Sequence, residues 1–296
     1  MQVPSQKKAK VLVLGGYGYL GAWLSNYLST NGLEVWRQGR SKSSQANFDV
    51  SNKDVFESFI KLHKFDAIIN LIAITDLEFC EQNADIAMQV NALLVLGVRS
   101  TLDSMPTSER PHFIQISTDQ VYSGAGPHQE DETMPINVYG ATKLAGEMYA
   151  DADKSTILRV NFIGKSTIPS RISLSDWVVN SASREDPVCV YEDVIFSPLH
   201  ISTLCMVICG VILNPICGVF NLGASTFIDK ATYAFKLVEL IGLPTGNFSK
   251  VKLADRTSLV KRPLDMSLRV SKIERALGFE LPSIESQIKL NASEYI

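Results

Sequence analysis

The fold of this chain is decided at Val11-Leu12-Val13-Leu14-Gly15-Gly16-Tyr17-Gly18-Tyr19-Leu20-Gly21. The first four residues are a continuous apolar run of strand length, and glycines at every third position follow. A helix is predicted directly after this turn, over 18–29. The first glycine permits a tight turn, the second lets backbone N–H groups approach a pyrophosphate, and the third permits close packing of helix on strand. The helix N-terminus adds partial positive charge, which favours the same anion.

Short apolar runs and helical stretches alternate through the first half of the chain. Strands are predicted at 11–14, 33–37, 67–73, 112–117 and 156–160, and helices at 18–29, 54–64, 84–102 and 139–150. Apolar strands separated by helices indicate βαβ units and a parallel sheet that is covered on both faces. We therefore predict an α/β fold, a Rossmann-type doubly wound parallel sheet that binds a dinucleotide on the glycine turn.

The pattern changes after Val160, where loops rich in Ser, Pro and Asn appear over 164–175. We predict a dinucleotide-binding Rossmann domain at 1–160 and mainly a smaller α/β substrate-binding lobe at 161–296, with 199–222 returning to the first domain. In doubly wound sheets ligands bind at the carboxyl ends of the strands. The lobe is therefore expected to cover that edge.

The composition excludes several classes of partner. The net charge is −3 and no block of Lys and Arg dominates, so no nucleic-acid surface is expected. The start of the chain is polar and lacks a signal-peptide core, and the longest apolar run, 201–213, is too short to span a bilayer and predicts a buried helix. The five cysteines have no paired spacing, so we expect a reduced, cytoplasmic protein without a metal site, and His200 is expected to cap or pack against the helix that follows it.

The end of the second predicted strand bears on the choice of cofactor. NAD enzymes place an acidic residue there to bind the ribose hydroxyl, whereas this chain carries Arg37, Arg40 and Lys42. Arginine suits a 2′-phosphate, so we predict NADPH with Arg40 as a ligand; NADH and a merely solvated basic loop are the alternatives. Asp49 and Val50, after a third short strand, are predicted at the adenine. The glycine turn contributes Gly15, Tyr17, Gly18, Tyr19, Leu20 and Gly21 to the predicted cofactor site.

Two further stretches determine the reaction class. Thr118 lies at the carboxyl end of a predicted strand, and Tyr139 and Lys143 are four residues apart on one face of a helix. The ammonium group and the positive nicotinamide are expected to lower the pKa of Tyr139, which then donates a proton to a carbonyl oxygen while hydride reaches the carbon. Lys143 also holds the nicotinamide ribose, and Thr118 hydrogen-bonds the substrate oxygen. A Tyr and a Lys at this spacing also occur by chance, so the combination with the glycine turn carries the prediction.

These segments resemble the extended short-chain dehydrogenase/reductase superfamily and, more narrowly, the dTDP-4-dehydrorhamnose reductase family. The resemblance covers nearly the whole chain and rests on the glycine turn, 117–119, 139–147, 70–75, 157–159, 262–265 and 281–282. It implies hydride transfer from NADPH to the keto carbon of a nucleotide-diphosphate 4-keto-6-deoxyhexose, with Thr118, Tyr139 and Lys143 in the catalytic roles. It also implies that Leu71, Ala73 and Asn91 belong to the cofactor site. The residues assigned to the substrate are Thr75, Asp119, Val121 and Asn161.

The chain departs from that family after Arg159, where the reductases usually continue with a Ser/Thr-Trp pair. The identity of the sugar therefore stays open, as does a homodimer. A nucleotide-sugar 4-epimerase or an epimerase-reductase, with Cys80 as a candidate acid or base, is one alternative. A non-catalytic dinucleotide-binding subunit, like the regulatory subunit of methionine adenosyltransferase, is another. Arg171 and Trp177 in the variable lobe are further candidates for contact with a nucleotide base or diphosphate, although core packing explains Trp177 equally well.

Overall fold

A computed structural model of the chain describes residues 8–184, 186–256 and 260–296. The polar start, 1–7, lies outside the described residues. The strands are β1 (Lys10–Leu14), β2 (Glu34–Gly39), β3 (Ala46–Asn47), β4 (Ala67–Asn70), β5 (His112–Thr118), β6 (Ser155–Val160), β7 (Phe162–Ile163), β8 (Val188–Tyr191), β9 (Ile195–Phe196), β10 (Leu199–His200), β11 (Gly218–Leu222), β12 (Ile228–Asp229), β13 (Phe248–Val251) and β14 (Asp265–Met266). The helices are α1 (Tyr19–Thr30), α2 (Lys53–His63), α3 (Leu77–Gln82), α4 (Ala84–Met88), α5 (Leu94–Asp103), α6 (Val138–Ala150), α7 (Leu174–Ala182), α8 (Ile201–Leu213), α9 (Lys230–Leu240), α10 (Ser271–Leu277) and α11 (Ile284–Ala292).

The main sheet has seven strands in the order β11-β6-β5-β4-β1-β2-β3, and every pairing in it is parallel. The prediction of a doubly wound α/β fold is therefore confirmed. The direction in which the chain adds strands reverses between β1 and β4, so a crevice opens outside their carboxyl ends. The glycine turn after β1 and the segment after β4 both leave the sheet at this crevice.

Strand β1 explains why its sequence is an unbroken apolar run. Val11 and Val13 pack on one face of the sheet with α1 and α8, whereas Leu12 and Leu14 pack on the other face with α2 and α5. All four side chains are fully buried. Successive side chains of a strand point to opposite faces, so a strand covered on both sides has no polar position.

The remaining strands form smaller sheets beyond the carboxyl edge. Strand β9 pairs with β12 and β14, β8 pairs with β13, and β7 pairs with β10. By contrast, β11 extends the main sheet beside β6, and α8 packs against α1. The later part of the chain thus contributes to both regions of the molecule.

The apolar run 201–213 forms helix α8, and eight of its residues are buried, as predicted. His200 caps this helix, since its Nδ1 accepts a hydrogen bond from the backbone N–H of Ser202 at 3.3 Å, which confirms the expected capping role. No helix within 8–184, 186–256 and 260–296 is both long and apolar enough to cross a bilayer.

Two predicted elements differ from the structure around the crevice. Strand β4 was expected to reach Ala73 but ends at Asn70, because side chains take over the backbone hydrogen bonds: Asn70 Oδ1 accepts from Ile72 N at 3.1 Å, and Asn91 Oδ1 accepts from Ile74 N at 2.8 Å. The helix expected over 84–102 is interrupted by a π-helical turn at Gln89–Leu93, between α4 and α5. Such turns are frequent at functional sites.

Candidate active site

The glycine turn has the backbone conformation that its sequence requires. Gly15 adopts a φ of +74°, which favours glycine, and a Cβ atom on Gly21 would lie 2.5 Å from the carbonyl oxygen of Gly15. Gly18 is the N-cap of α1, and no side-chain hydrogen bond caps the helix there. The first N–H groups of α1 therefore remain available to an anion.

A cavity of about 840 Å³ opens at this turn. Its volume lies within the range of about 300–1,000 Å³ that is usual for ligand pockets. The predicted cofactor residues that line it are Gly15, Tyr17, Gly18, Arg40, Asp49, Val50, Leu71 and Ala73. Lining residues that the sequence did not predict include Gln38, Gly39, Ser51, Lys53 and three residues of the π-helical turn, Gln89, Val90 and Leu93.

Apart from Tyr139 and Lys143, which are described below, four other predicted cofactor residues lie outside the lining of this cavity. The Tyr19 hydroxyl donates to the carbonyl oxygen of Gly164 at 2.6 Å, and Leu20 packs in the core. Gly21 packs against the turn, as described above. Asn91 is buried, and its Nδ2 donates to the Ile74 carbonyl at 3.0 Å and to the Thr142 hydroxyl at 3.1 Å. Asn91 thus ties the segment after β4 to helix α6.

The basic residues after β2 are not equivalent. Arg37 Nε donates to the carbonyl oxygen of Gly16 at 2.8 Å, and its guanidinium lies over the Tyr17 ring at 4.1 Å. Arg37 is therefore engaged in holding the turn, whereas Arg40 is exposed and lines the cavity. Asp49 also lines the cavity, and hydrogen bonds from Ser51, with a smaller effect of the Arg40 charge, lower its pKa. Arg40 is thus the arginine from this segment that a bound phosphate can reach.

Thr118, Tyr139 and Lys143 are brought together on the other side of the segment after β4. Their exposed fractions are 5%, 8% and 4%. Thr118 lies close enough to Tyr139 for its hydroxyl to lower the pKa of the phenol. The Thr118 hydroxyl donates to Asp119 Oδ1 at 3.3 Å, and Lys143 Nζ donates to the carbonyl oxygen of Ile116 at 2.7 Å. Tyr139 packs with Ile74, which follows the cavity-lining Ala73. The three predicted catalytic groups therefore do not line the cavity, and Tyr139 is linked to its wall through Ile74.

Several contacts fix helix α6 in this position. Asn137 caps the helix, because its Oδ1 accepts from the N–H of Gly140 at 2.7 Å. Glu81 Oε1 accepts from the N–H of Val138 at 2.9 Å. A Cβ atom on Gly140 would lie 2.3 Å from the carbonyl oxygen of Gln120, so glycine allows the helix to approach the turn after β5. The helix thus presents Tyr139 directly beside Thr118.

The pKa of Tyr139 differs from the sequence expectation. Burial raises the pKa of this phenol well above its usual range, the neighbouring Thr118 hydroxyl lowers it, and the charge of Asp119 raises it further. Burial also lowers the pKa of Lys143 to about 8, and the charge of Glu147 partly opposes that shift. The expected lowering of the Tyr139 pKa by Lys143 is thus not observed in these contacts, because the ammonium is directed at the Ile116 carbonyl.

A second group of charged residues surrounds Asp119, directly after Thr118. Asn161 Nδ2 donates to a carboxylate oxygen of Asp119, and Lys230 is close enough to lower the pKa of that carboxyl. Burial has the larger effect and raises the pKa of Asp119 to about 6. Arg262 lies near Lys230, whose pKa its charge helps to lower, and donates to Glu78 Oε1 at 2.5 Å. These contacts place the predicted substrate residues Asp119 and Asn161 side by side.

Sequence reasoning did not assign Lys230 or Arg262 to the site. Lys230 is the first residue of α9, a position that carries no recognisable motif. Arg262 was noticed only as part of the resemblance. Of the other two predicted substrate residues, Thr75 is exposed, whereas Val121 is fully buried in the core and its carbonyl oxygen accepts from the N–H of Met134 at 2.8 Å.

The protein comparisons agree with this geometry. A family model described as the RmlD substrate binding domain matches residues 9–296. The chain belongs to the RmlD substrate binding domain family. Among curated relatives, the protein named probable low-salt glycan biosynthesis reductase Agl14 of Haloferax volcanii is 26% identical, over 93% of this chain and 95% of that protein. The dTDP-4-dehydrorhamnose reductase of Sinorhizobium fredii is 29% identical, over 82% and 85% of the two chains.

Solved structures of similar proteins share the architecture. The dTDP-4-dehydrorhamnose reductase from Bacillus anthracis, solved in complex with NADP, matches with a TM-score of 0.83 at 21% identity and covers 98% of this chain and 100% of its own. The orthologue from Clostridium acetobutylicum matches with a TM-score of 0.84 at 23% identity, over 97% and 99% of the chains. At this level of identity the likeness establishes a shared fold for this RmlD-family chain.

Proposed function

We propose that this protein is an NADPH-dependent reductase of a nucleotide-diphosphate 4-keto-6-deoxyhexose. The observation that carries the proposal is the position of Thr118 beside Tyr139, with Lys143 one helical turn away on α6. Tyr139 packs with Ile74, which directly follows Ala73 on the wall of the cavity that begins on the glycine turn. The names of the relatives, dTDP-4-dehydrorhamnose reductase, support the same reaction class. NADH remains the alternative cofactor, and Arg40 on the cavity wall favours the phosphorylated one.

The residues divide the chemistry between them. When bound, NADPH supplies the hydride to the keto carbon. Thr118 hydrogen-bonds the keto oxygen, and Tyr139 donates its hydroxyl proton to that oxygen, so the product is a secondary alcohol and Tyr139 regains its proton from solvent. Lys143, whose ammonium donates to the Ile116 carbonyl, is assigned to the nicotinamide ribose. The raised pKa of Tyr139 keeps the hydroxyl protonated at neutral pH, as a proton donor requires.

The cofactor and substrate assignments follow the same division of the site. We assign Asp119, Asn161 and the exposed Thr75 to the sugar, and the fully buried Val121 supports them from the core. Asn91, Tyr19, Leu20 and Gly21 support the cofactor from behind the cavity wall. The nucleotide of the substrate stays open, because the chain departs from its relatives after Arg159.

Three coarser assignments accompany the reaction. We propose a dinucleotide-binding domain up to 160 and a substrate lobe after it, and the pairing of β11 with β6 supports the return of 199–222 to the first domain. The five unpaired cysteines support a cytoplasmic location. The family resemblance supports a homodimer as the assembly to test, and light scattering of the purified protein distinguishes a dimer from a monomer.

An epimerase-reductase is less well supported, because it needs a second acid–base group beside Cys80. Cys80 is fully buried next to Tyr139, and its Sγ lies 3.6 Å from the Ile74 carbonyl. The histidines have other roles: His63 packs on Trp36, His112 bonds Thr156, His128 stacks on Tyr122, and His200 caps α8.

The experiment is a screen of dTDP-, UDP-, GDP- and CDP-linked 4-keto-6-deoxysugars, with NADPH oxidation followed at about 340 nm, the absorbance of the reduced nicotinamide. We expect turnover of at least one substrate, and a loss of kcat of about 100- to 10,000-fold in Tyr139→Phe because the proton donor is removed. Cofactor titration of Tyr139→Phe controls for folding. If the wild-type protein binds NADPH but reduces none of these sugars, a non-catalytic dinucleotide-binding subunit replaces the enzyme.

A further inference from the structure

One wall of the dinucleotide cavity comes from the substrate lobe, on the loop 164–173 between β7 and α7. Ile168, Ser170 and Arg171 from this loop line the cavity together with Gly15 and Gly18 of the glycine turn. The loop therefore forms part of the wall of the site. Hydrogen bonds at both ends of the loop hold it in this position.

The first end of the loop is attached to helix α1. The Tyr19 hydroxyl donates to the carbonyl oxygen of Gly164 at 2.6 Å, and Trp23 Nε1 donates to the carbonyl oxygen of Lys165 at 3.1 Å. Both donors lie in the first half of α1, directly after the glycine turn. The loop is thus held at the helix N-terminus, where the pyrophosphate of a dinucleotide binds.

One carboxylate joins both ends of the loop. Asp176 Oδ2 accepts from the backbone N–H of Ser166 at 3.0 Å and from that of Ser173 at 3.0 Å, and Ser173 forms a capping box at the start of α7. Tyr295 donates to the other oxygen of Asp176 at 2.7 Å. Because Asp176 holds both ends of the loop together, the residues between Ser166 and Ser173 have a defined position.

Arg171 is the cation at that tip. Its backbone N–H donates to the carbonyl oxygen of Ile168 at 3.0 Å, which forms a turn, and its side chain is exposed at the cavity. Within the described ranges, no acidic side chain is paired with Arg171. Arg37, by contrast, is bonded to the Gly16 carbonyl. A guanidinium without a carboxylate partner retains its full capacity to bind a phosphate.

We propose that Arg171 is a ligand of the pyrophosphate of the bound dinucleotide, reaching it from the substrate lobe opposite the N-terminus of α1. This inference rests on the proposed dinucleotide-binding function. The pyrophosphate is favoured over the 2′-phosphate because the loop is attached to α1 directly after Gly18. The 2′-phosphate is expected at the segment after β2, where Arg40 lines the cavity. The dinucleotide then bridges the two regions of the molecule, and its binding orders the wall that also borders the substrate lobe.

The test compares Arg171→Ala, Arg171→Lys and the matched control Arg275→Ala, an exposed arginine on α10 that is not part of the cavity lining. Dissociation constants for NADPH and NADH are measured by calorimetry, without any sugar substrate. We expect Arg171→Ala to weaken both dinucleotides by a similar factor of about 5 to 30, as the loss of a partly exposed charge-assisted hydrogen bond predicts. Arg171→Lys retains part of the affinity, and Arg275→Ala binds like wild type.

Two results would overturn the inference: unchanged binding by Arg171→Ala, or a loss confined to NADPH, which would assign Arg171 to the 2′-phosphate. Thermal melting of each variant without cofactor checks the fold, and Arg171→Lys tests the same contact if the alanine variant is unstable. A wild-type protein that binds neither dinucleotide would instead refute the proposed function. The two failures are therefore distinguishable.

Discussion

The cofactor side and the substrate side of this site are built in different ways. The cofactor side depends on backbone: a turn between β1 and α1, helix N–H groups and glycines that allow close approach. The substrate side depends on charge away from bulk solvent, where the buried Asp119 lies near the half-buried Lys230, more than a hundred residues away in the chain. Local sequence can encode the first arrangement, but the second exists only after the chain has folded. The two sides should therefore respond differently to substitution.

The largest effect is expected at Arg159, which holds helix α6 to the strand below it. Arg159 Nη2 lies 2.6 Å from Glu147 Oε2, and both side chains are almost completely buried. Arg159→Met leaves the Glu147 carboxylate buried without its partner, so the free energy of unfolding should fall by about 3–5 kcal/mol. Urea unfolding measures this loss.

The matched control for Arg159→Met is Lys61→Met, which breaks the exposed pair with Glu57 on α2. An exposed pair of this kind contributes about 0.3–0.5 kcal/mol, so the control should remain close to wild type. Equal losses in the two variants would contradict the distinction between buried and exposed charge.

An intermediate effect is expected on the cofactor side, at Gly21. A Cβ atom there meets the backbone of Gly15 and Gly16, which cannot move aside as a flexible side chain would. Gly21→Ala should lower the free energy of unfolding by about 1–3 kcal/mol and weaken NADPH binding, because the turn must shift. Calorimetric titration with NADPH and thermal melting measure the two losses.

Gly210→Ala on helix α8 is the control, since a Cβ atom there meets nothing within 4 Å. It should stabilise the protein by about 0.5–1 kcal/mol through helix propensity and leave NADPH binding unchanged. If Gly21→Ala had the same stability and NADPH affinity as Gly210→Ala, close backbone packing would not be the reason for glycine at position 21.

An effect similar in size to that of Gly21→Ala is expected from pH on the substrate side. Burial raises the pKa of Asp119 from 3.8 to about 6, so the folded state binds more protons than the unfolded state between these values. The contribution of Asp119 to the free energy of unfolding therefore falls as pH rises through this window, by at most about 1.4 kcal/mol per pH unit. Asp119→Asn should lose this dependence, which urea unfolding at pH 4.5 and pH 7 detects. A wild-type protein and an Asp119→Asn variant with the same pH dependence would refute the assignment.

Much of the cofactor side could be predicted from the sequence. The alternation of apolar strands with helices predicted the parallel sheet that the structure shows. Eight of the predicted cofactor residues line the cavity. The end of β4 at Asn70 could not be predicted, because the apolar residues that follow it look like a strand until Asn91 binds their backbone. The π-helical turn at Gln89–Leu93 could not be predicted either, because its residues fit an ordinary α-helix.

The sequence by itself determined the glycine turn, the alternation of strands and helices around it and the Tyr139–Lys143 spacing, because each follows from the residue pattern within a short segment. Only the tertiary structure decided that Lys230 lies near Asp119 and that the loop carrying Arg171 reaches the cavity. It also directs the Lys143 ammonium at the Ile116 carbonyl. These contacts join separate parts of the chain, and burial, which depends on the folded structure, shifts the pKa values of Asp119 and Lys143. A motif can name the reacting residues, but the packing of the folded chain sets their surroundings.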